Sequence, residues 1–298
     1  MKPVHLVLAV LVAIIWGFAF VATKIGLESF SPPQLTALRF LIAAVPAVFL
    51  PRPLLAWSAM VPIGLTLFAG QFLLQFFGIA SGMPLGLASV IVQTQAFFTV
   101  LFAAAALRET PTRRQLVGMA AAFTGVVVIG VTVGRDLTAV GLSLTLVAAV
   151  SWGVGNVLVK RVGRVEMLNL VVWLSLVPPV PSLALSMGLD GPADLRRAVS
   201  NASWLGYGAA LYLGLVATVV AYAIWSSLLR QYPAATVAPF ALLVPFVGAL
   251  SSAVVFGERF GPVRLAGMGL VLLGLAVIAL PLQKQRSRLD QGVNRGAA

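Results

Sequence analysis

This chain carries one pattern twice. Trp16-Gly17, followed by Lys24, returns 136 residues later as Trp152-Gly153, followed by Lys160. Pro84, Glu109, Gly118-Met119 and Gly125 return as Pro233, Glu258, Gly267-Met268 and Gly274, at a spacing of 149. A duplicated chain must solve the same burial problem in each copy. Here the solvent is set by composition: 60% of residues are apolar and 9% charged, against roughly a quarter charged in a soluble domain. Too little polar surface exists to solvate 298 residues in water, so the chain is read as an integral membrane protein. A helical span needs about 20 apolar residues. Ten spans with short loops use up nearly the whole length and leave no room for a soluble catalytic domain.

The hydropathy pattern predicts spans at Val4 to Gly26, Gln34 to Leu50, Trp57 to Ala80, Leu85 to Leu107 and Gln115 to Val133. A second set runs Val140 to Lys160, Met167 to Met187, Leu205 to Leu228, Ala234 to Phe256 and Val263 to Leu282. Gly and Pro punctuate the breaks, as in Ser81-Gly82-Met83-Pro84 and Asp190-Gly191-Pro192. Residues 1–133 then form one five-helix repeat, 134–139 a linker, 140–282 the second repeat, and 283–298 a polar, basic tail. The opening apolar run passes beyond Trp16, longer than the core of a cleaved signal peptide, and reads as a retained helix.

Counting Lys and Arg on alternate sides of these spans puts thirteen on the side of the termini and six on the other, with Arg39 inside a span. Basic loops stay in the cytoplasm, so both termini are expected there. The same asymmetry accounts for the net charge of +12 without nucleic acid as a partner. Five spans per half is odd, so the second half enters the bilayer from the opposite face. The expected fold is all-α, ten transmembrane helices as two inverted five-helix repeats. Inverted copies can exchange conformations, which turns a cavity open to one side into a cavity open to the other. The growth in spacing from 136 to 149 places thirteen extra residues in the second half, assigned to the loop from Asp190 to Ser203.

The Trp-Gly pair in the first span of each half, with the Arg108-Glu109 and Gly257-Glu258-Arg259 turns before the last span of each half, resembles the EamA-type domain. That domain occurs twice in the drug/metabolite transporter superfamily. The resemblance covers about Leu6 to Leu282, and within the superfamily the chain is most similar to the YddG-type exporters of aromatic amino acids. It implies a central substrate cavity lined by the first, third and fourth helices of each half, with the fifth helices peripheral. It also implies export of small metabolites from the cytoplasm, aromatic and other neutral amino acids first. Organic cations or other metabolites are the alternative cargo.

Polar groups inside a hydrocarbon layer are either structural ties or functional contacts. Gln71 and Gln75 share a face of the third helix by their four-residue spacing. Gln93 and Gln95 lie mid-span on the fourth, Asn156 four residues after Trp152 on the sixth, and Tyr222 and Trp225 share a face of the eighth. Trp16 and Trp152 are mid-span rather than at the interfaces where Trp anchors. Followed by Gly, each reads as a bulky ring beside a close helix crossing, as packing or as an aromatic cavity wall for stacking or cation–π attraction. The resemblance puts all these helices around the cavity, making Trp16, Gln71, Gln75, Gln93, Gln95, Trp152, Asn156, Tyr222 and Trp225 the substrate candidates.

Gate or hinge candidates are Pro84 and Pro233, which open the fourth helix of each half, Pro239 and Pro245 within the ninth, and Lys24 and Arg39. Lys24 closes the first helix, to snorkel or to attract a substrate carboxylate. Arg39 lies about two turns inside its span, with Glu28, a carbonyl or water as the expected partner. Glu109 and Glu258 are read as structural ties at the N-termini of the fifth and tenth helices.

Rival classes lack their parts. His5 is the only histidine and cysteine is absent, so no His-based metal pair, thiolate site or core general base can be built. Neither a Gly-x-Ser-x-Gly elbow nor a Gly-x4-Gly-Lys-[Ser/Thr] loop occurs; no enzyme and no cofactor is expected. A passive channel would need a filter sequence or ring of like charges; a facilitator without energy coupling stays open. No Asp, Glu or His sits mid-span, so flux is expected to follow the substrate gradient or the membrane potential. The expected partners are a small-molecule substrate and the lipid bilayer.

Overall fold

A computed structural model describes residues 1–134, 136–163 and 165–279. The basic tail and the end of the tenth span lie outside the described residues. The helices are α1 (Pro3–Leu27), α2 (Pro32–Val48), α3 (Trp57–Ala80), α4 (Leu85–Leu107), α5 (Arg113–Gly130) and α6 (Ala139–Val162). They continue as α7 (Met167–Leu189), α8 (Pro192–Asn201), α9 (Trp204–Gln231), α10 (Ala234–Phe256) and α11 (Pro262–Ala279). Eight are long and apolar enough to cross a membrane; α2 is a shorter apolar helix, and α5 opens with Arg113 and Arg114. With α8 set aside, ten helices remain among the described residues, five in each repeat. The face on which α1 begins and α11 ends is called the terminal face below.

Helix starts carry their own signals. Thr112 caps α5 by accepting the Gln115 N–H at 3.2 Å, Thr138 caps α6 through Gly141 at 2.9 Å, and Ser31 with Gln34 opens α2. Asp136, in the turn before α6, takes a bidentate hydrogen bond from Arg264 of α11. That bond holds its carboxyl below the ordinary value near 3.8.

Duplication is visible in the irregularities as well as in the helices. α3 widens into π turns over Leu65–Gly70 and α9 over Tyr212–Val220. α4 tightens into a 3-10 turn at Val92–Thr94 and α10 at Ala238–Leu242. The π stretches are stitched to the first helix of the other half. Trp16 and Tyr212 join α1 to α9, through Nε1 to the Ala217 carbonyl at 2.9 Å and through the hydroxyl to the Ile15 carbonyl at 2.8 Å. Ser151 joins α6 to α3 through the Thr66 carbonyl at 2.7 Å.

Glycine decides which helices come close. A Cβ on Gly17 would stand 2.5 Å from Val247 Cβ of α10, and one on Gly153 would stand 2.8 Å from Phe98 Cβ of α4. Each first helix thus crosses the fourth helix of the other half, beside the Trp that precedes the glycine. α5 and α11 also meet through glycine: Gly118 faces Gly274 and Gly125 faces Gly267, the cross-pairing expected of a two-fold axis between antiparallel copies.

Two expectations change. The thirteen extra residues are no plain loop: Pro192–Asn201 forms the short, polar α8, with no buried residue. Glu258 does not serve the N-terminus of α11. Its carboxylate reaches across to α4, accepting the Leu85 N–H at 2.7 Å and the Gly86 N–H at 3.0 Å. The first N–H groups of a helix have no partner within it and favour an anion, which the Glu258 carboxylate supplies at the start of α4.

Candidate functional site

α1, α3, α4, α6, α9 and α10 surround a cavity of about 280 Å³, lined from the middle stretches of α1, α3, α4 and α6. The first, third and fourth helices of both halves contribute. α2 adds Arg39, and α11, expected at the periphery, adds Leu275 and Ala279. Ala238, Ala241 and Leu242 at the start of α10, with Ala279 at the end of α11, put its mouth toward the terminal face.

Of the sequence candidates, Trp16, Gln71, Gln75, Gln93, Gln95, Trp152 and Tyr222 line this cavity, and so does Arg39. Trp16 packs against Tyr222 and Trp225, both with ring centroids 5.3 Å away. Trp225 stands behind that wall. Asn156 also stands back, donating to Gln95 Oε1 at 2.9 Å and Thr99 Oγ1 at 3.0 Å, a tie between α6 and α4. Lys24 is exposed at the far end of α1. Pro84 and Pro233 stand before α4 and α10, Pro239 lies in the 3-10 turn, and Pro245 lies buried in α10 with its carbonyl accepting from Ser89 Oγ at 3.2 Å.

Phe20, Thr23 and Phe72 belong to the lining and were not among the candidates. Ala19, Phe20 and Thr23 follow Trp16 by three, four and seven residues, so the helical period carries the signal. Phe72 sits between two recognised glutamines and shows no such signal.

The polar chemistry of the cavity centres on α2 and α3. Arg39 is 5% exposed, and its guanidinium lies 3.9 Å from the Phe72 ring centroid. Its hydrogen bonds go to Thr218 Oγ1, from Nε at 3.3 Å and Nη2 at 3.2 Å. Glu28 is not its partner, and among the described residues no carboxylate lies within ion-pair distance. Gln71, fully buried, donates to Gln75, while its own Oε1 has no hydrogen-bond partner among the described residues. The cavity thus combines an unneutralised cation, an unused acceptor and an aromatic wall.

The EamA-like transporter family matches residues 4–131 and again 139–280. The chain belongs to that family. This EamA-like transporter is 39% identical over 292 residues to a Salmonella typhimurium protein named a probable amino-acid metabolite efflux pump, covering 96% of the chain and 98% of that protein. It is 37% identical over 288 residues to an Escherichia coli protein of the same name, covering 94% and 96%. A solved crystal structure, 20% identical, shares the fold with a TM-score of 0.61 over 97% of this chain and 99% of that one. The EamA-like transporter is therefore a multi-pass membrane carrier of small molecules.

Proposed function

We propose that this transporter exports amino acids, aromatic and other neutral ones first, from the cytoplasm across a bacterial inner membrane by alternating access. The two units that rock are residues 1–133 and 140–282, joined by 134–139, and both termini are cytoplasmic. The observation that carries the reading is that Arg39, a buried guanidinium with no ion pair among the described residues, and Gln71, a buried amide whose Oε1 has no partner there, belong to one cavity lining. An unpaired buried guanidinium is costly, and a substrate carboxylate would neutralise it. Gln71 Oε1 would accept from the substrate ammonium, and Trp16, Phe72, Trp152 and Tyr222 would flank its side chain. A volume of about 280 Å³ lies just below the usual range of ligand cavities, roughly 300–1,000 Å³, and suits one amino acid better than a bulky drug. The names of the two enterobacterial relatives support the same cargo class. With no acidic residue in the lining among the described residues, flux follows the substrate gradient or the membrane potential.

The test is counterflow of labelled phenylalanine into proteoliposomes preloaded with unlabelled candidates. Saturable exchange inhibited by Trp and Tyr but not by Lys is expected. No exchange from well-folded protein would overturn the aromatic assignment.

A further inference from the structure

Four charged residues recur in the two halves but keep different company. Lys24 and Lys160 close the first helix of each half, and Glu109 and Glu258 follow the fourth. On the terminal face Glu109 sits on Lys160, at 2.5 and 2.7 Å. On the other face Glu258 caps α4 at Leu85 and Gly86, and Lys24 has no ion pair among the described residues.

The packing differs in the same sense. Where Glu258 caps α4, the start of α4 and the end of α10 are pressed together. A Cβ on Gly86 would stand 2.9 Å from Ser252 Oγ, and one on Gly248 would stand 2.5 Å from Ser89 Cβ. The counterparts on the terminal face are the end of α4 and the start of α10. They are not packed in this way, and Ala234 and Ala235, the counterparts of Leu85 and Gly86, are exposed and half-buried. The cavity mouth lies beside them.

We propose that these residues form an exchange latch. When the transporter opens to the other face, Glu109 leaves Lys160 to cap α10 at Ala234 and Ala235, while Glu258 leaves α4 to pair with Lys24. The inference rests on the alternating-access reading and adds its latch. Two inverted copies reach the second state by trading conformations. Each state then holds one carboxylate on a helix start and the other on a lysine. The contacts are conserved in kind, so the two states lie close in free energy and a modest substrate preference can bias them.

The chain has no cysteine, so nitroxide labels can be placed on Ala106→Cys and Thr236→Cys alone, across the terminal mouth. Electron–electron distance distributions then report its closed fraction, with counterflow measured on the same preparation. Lys24→Ala removes a contact used only in the proposed state and should shrink the closed fraction; Lys160→Ala removes one used only in the present state and should enlarge it. For exposed ion pairs each shift in the open-to-closed ratio should be about 1.5- to 5-fold. Both lysines are exposed, so neither change removes a core group. Shifts of one sign, no shift, or a mouth that never closes in a protein that transports would overturn the latch alone. Absence of exchange in the labelled parent protein would instead overturn the transporter reading on which it rests.

Discussion

Arg108 and Gly257 occupy the same left-handed turn in the two halves, at φ 56° and 67°. Each ends the fourth helix of its half, and only one is the residue such a turn prefers. A side chain in this region costs roughly 1–2 kcal/mol, about half of which glycine gives back through its freer unfolded chain. Arg108→Gly should therefore raise the unfolding free energy by about 0.5–1 kcal/mol, and Gly257→Arg should lower it by a similar amount. Thermal melts in detergent would read both. Equal shifts of the same sign would rule out strain as the cause.

Gly125 and Gly269 make a second contrasted pair. A Cβ on Gly125 would lie 2.5 Å from the Gly267 carbonyl oxygen, whereas one on Gly269 meets nothing within 4 Å. Gly125→Ala should cost about 1–3 kcal/mol, because backbone rather than a flexible side chain must give way. Gly269→Ala should be neutral or stabilising by up to about 1 kcal/mol, since alanine favours a helix. The ranking of the two melting temperatures decides it.

Arg39 and Asn156 separate recognition from architecture. Replacing Arg39 by Leu should abolish saturable uptake of zwitterionic substrates yet leave a folded protein, and Arg39→Lys should restore part of it. Asn156→Leu, which breaks the tie to Gln95 and Thr99, should cost about 1 kcal/mol of stability and change substrate half-saturation little. A large rise in half-saturation with unchanged stability would move Asn156 into the binding site.

Asp136 gives a pH signature. Its pKa is lowered by the hydrogen bond from Arg264, so the stabilisation is in full force above the ordinary carboxylate value. It fades as pH falls through the lower folded value. Melting curves of the parent and Asp136→Asn should differ at pH 7 and converge below about pH 4. With the Asp136 side chain 62% exposed, the gap should be small and shrink in salt. A gap unchanged across this range would mean the pair contributes no charge-dependent stability.

Much of this molecule is written locally. Apolar runs mark the spans, and the Trp16-Gly17 and Trp152-Gly153 pairs mark the two crossings of first on fourth helix. The Gln71–Gln75 face follows from helical spacing. What stayed hidden depends on partners far along the chain. Arg39 meets Thr218 from the other half, 179 positions away, and no local pattern distinguishes that from a bond to nearby Glu28. Glu258 reaches α4 rather than the helix beside it in sequence, because the two-fold arrangement brings the start of α4 closer. Trp225 and Asn156 share faces with cavity residues, and only the rotation of their helices puts them one layer back.

The π turns in α3 and α9 divide those helices near their middles, and the 3-10 turns in α4 and α10 divide theirs nearer the start, after seven and four residues. Above and below each division the residues per turn are ordinary; within it they are not, so rows of side chains fall out of step across the joint. Such a helix acts as two shorter rods, with the seam beside residues that line the cavity. Under the alternating access proposed above, the rods at one end would tilt while those at the other stay packed, with the substrate held at the elbow.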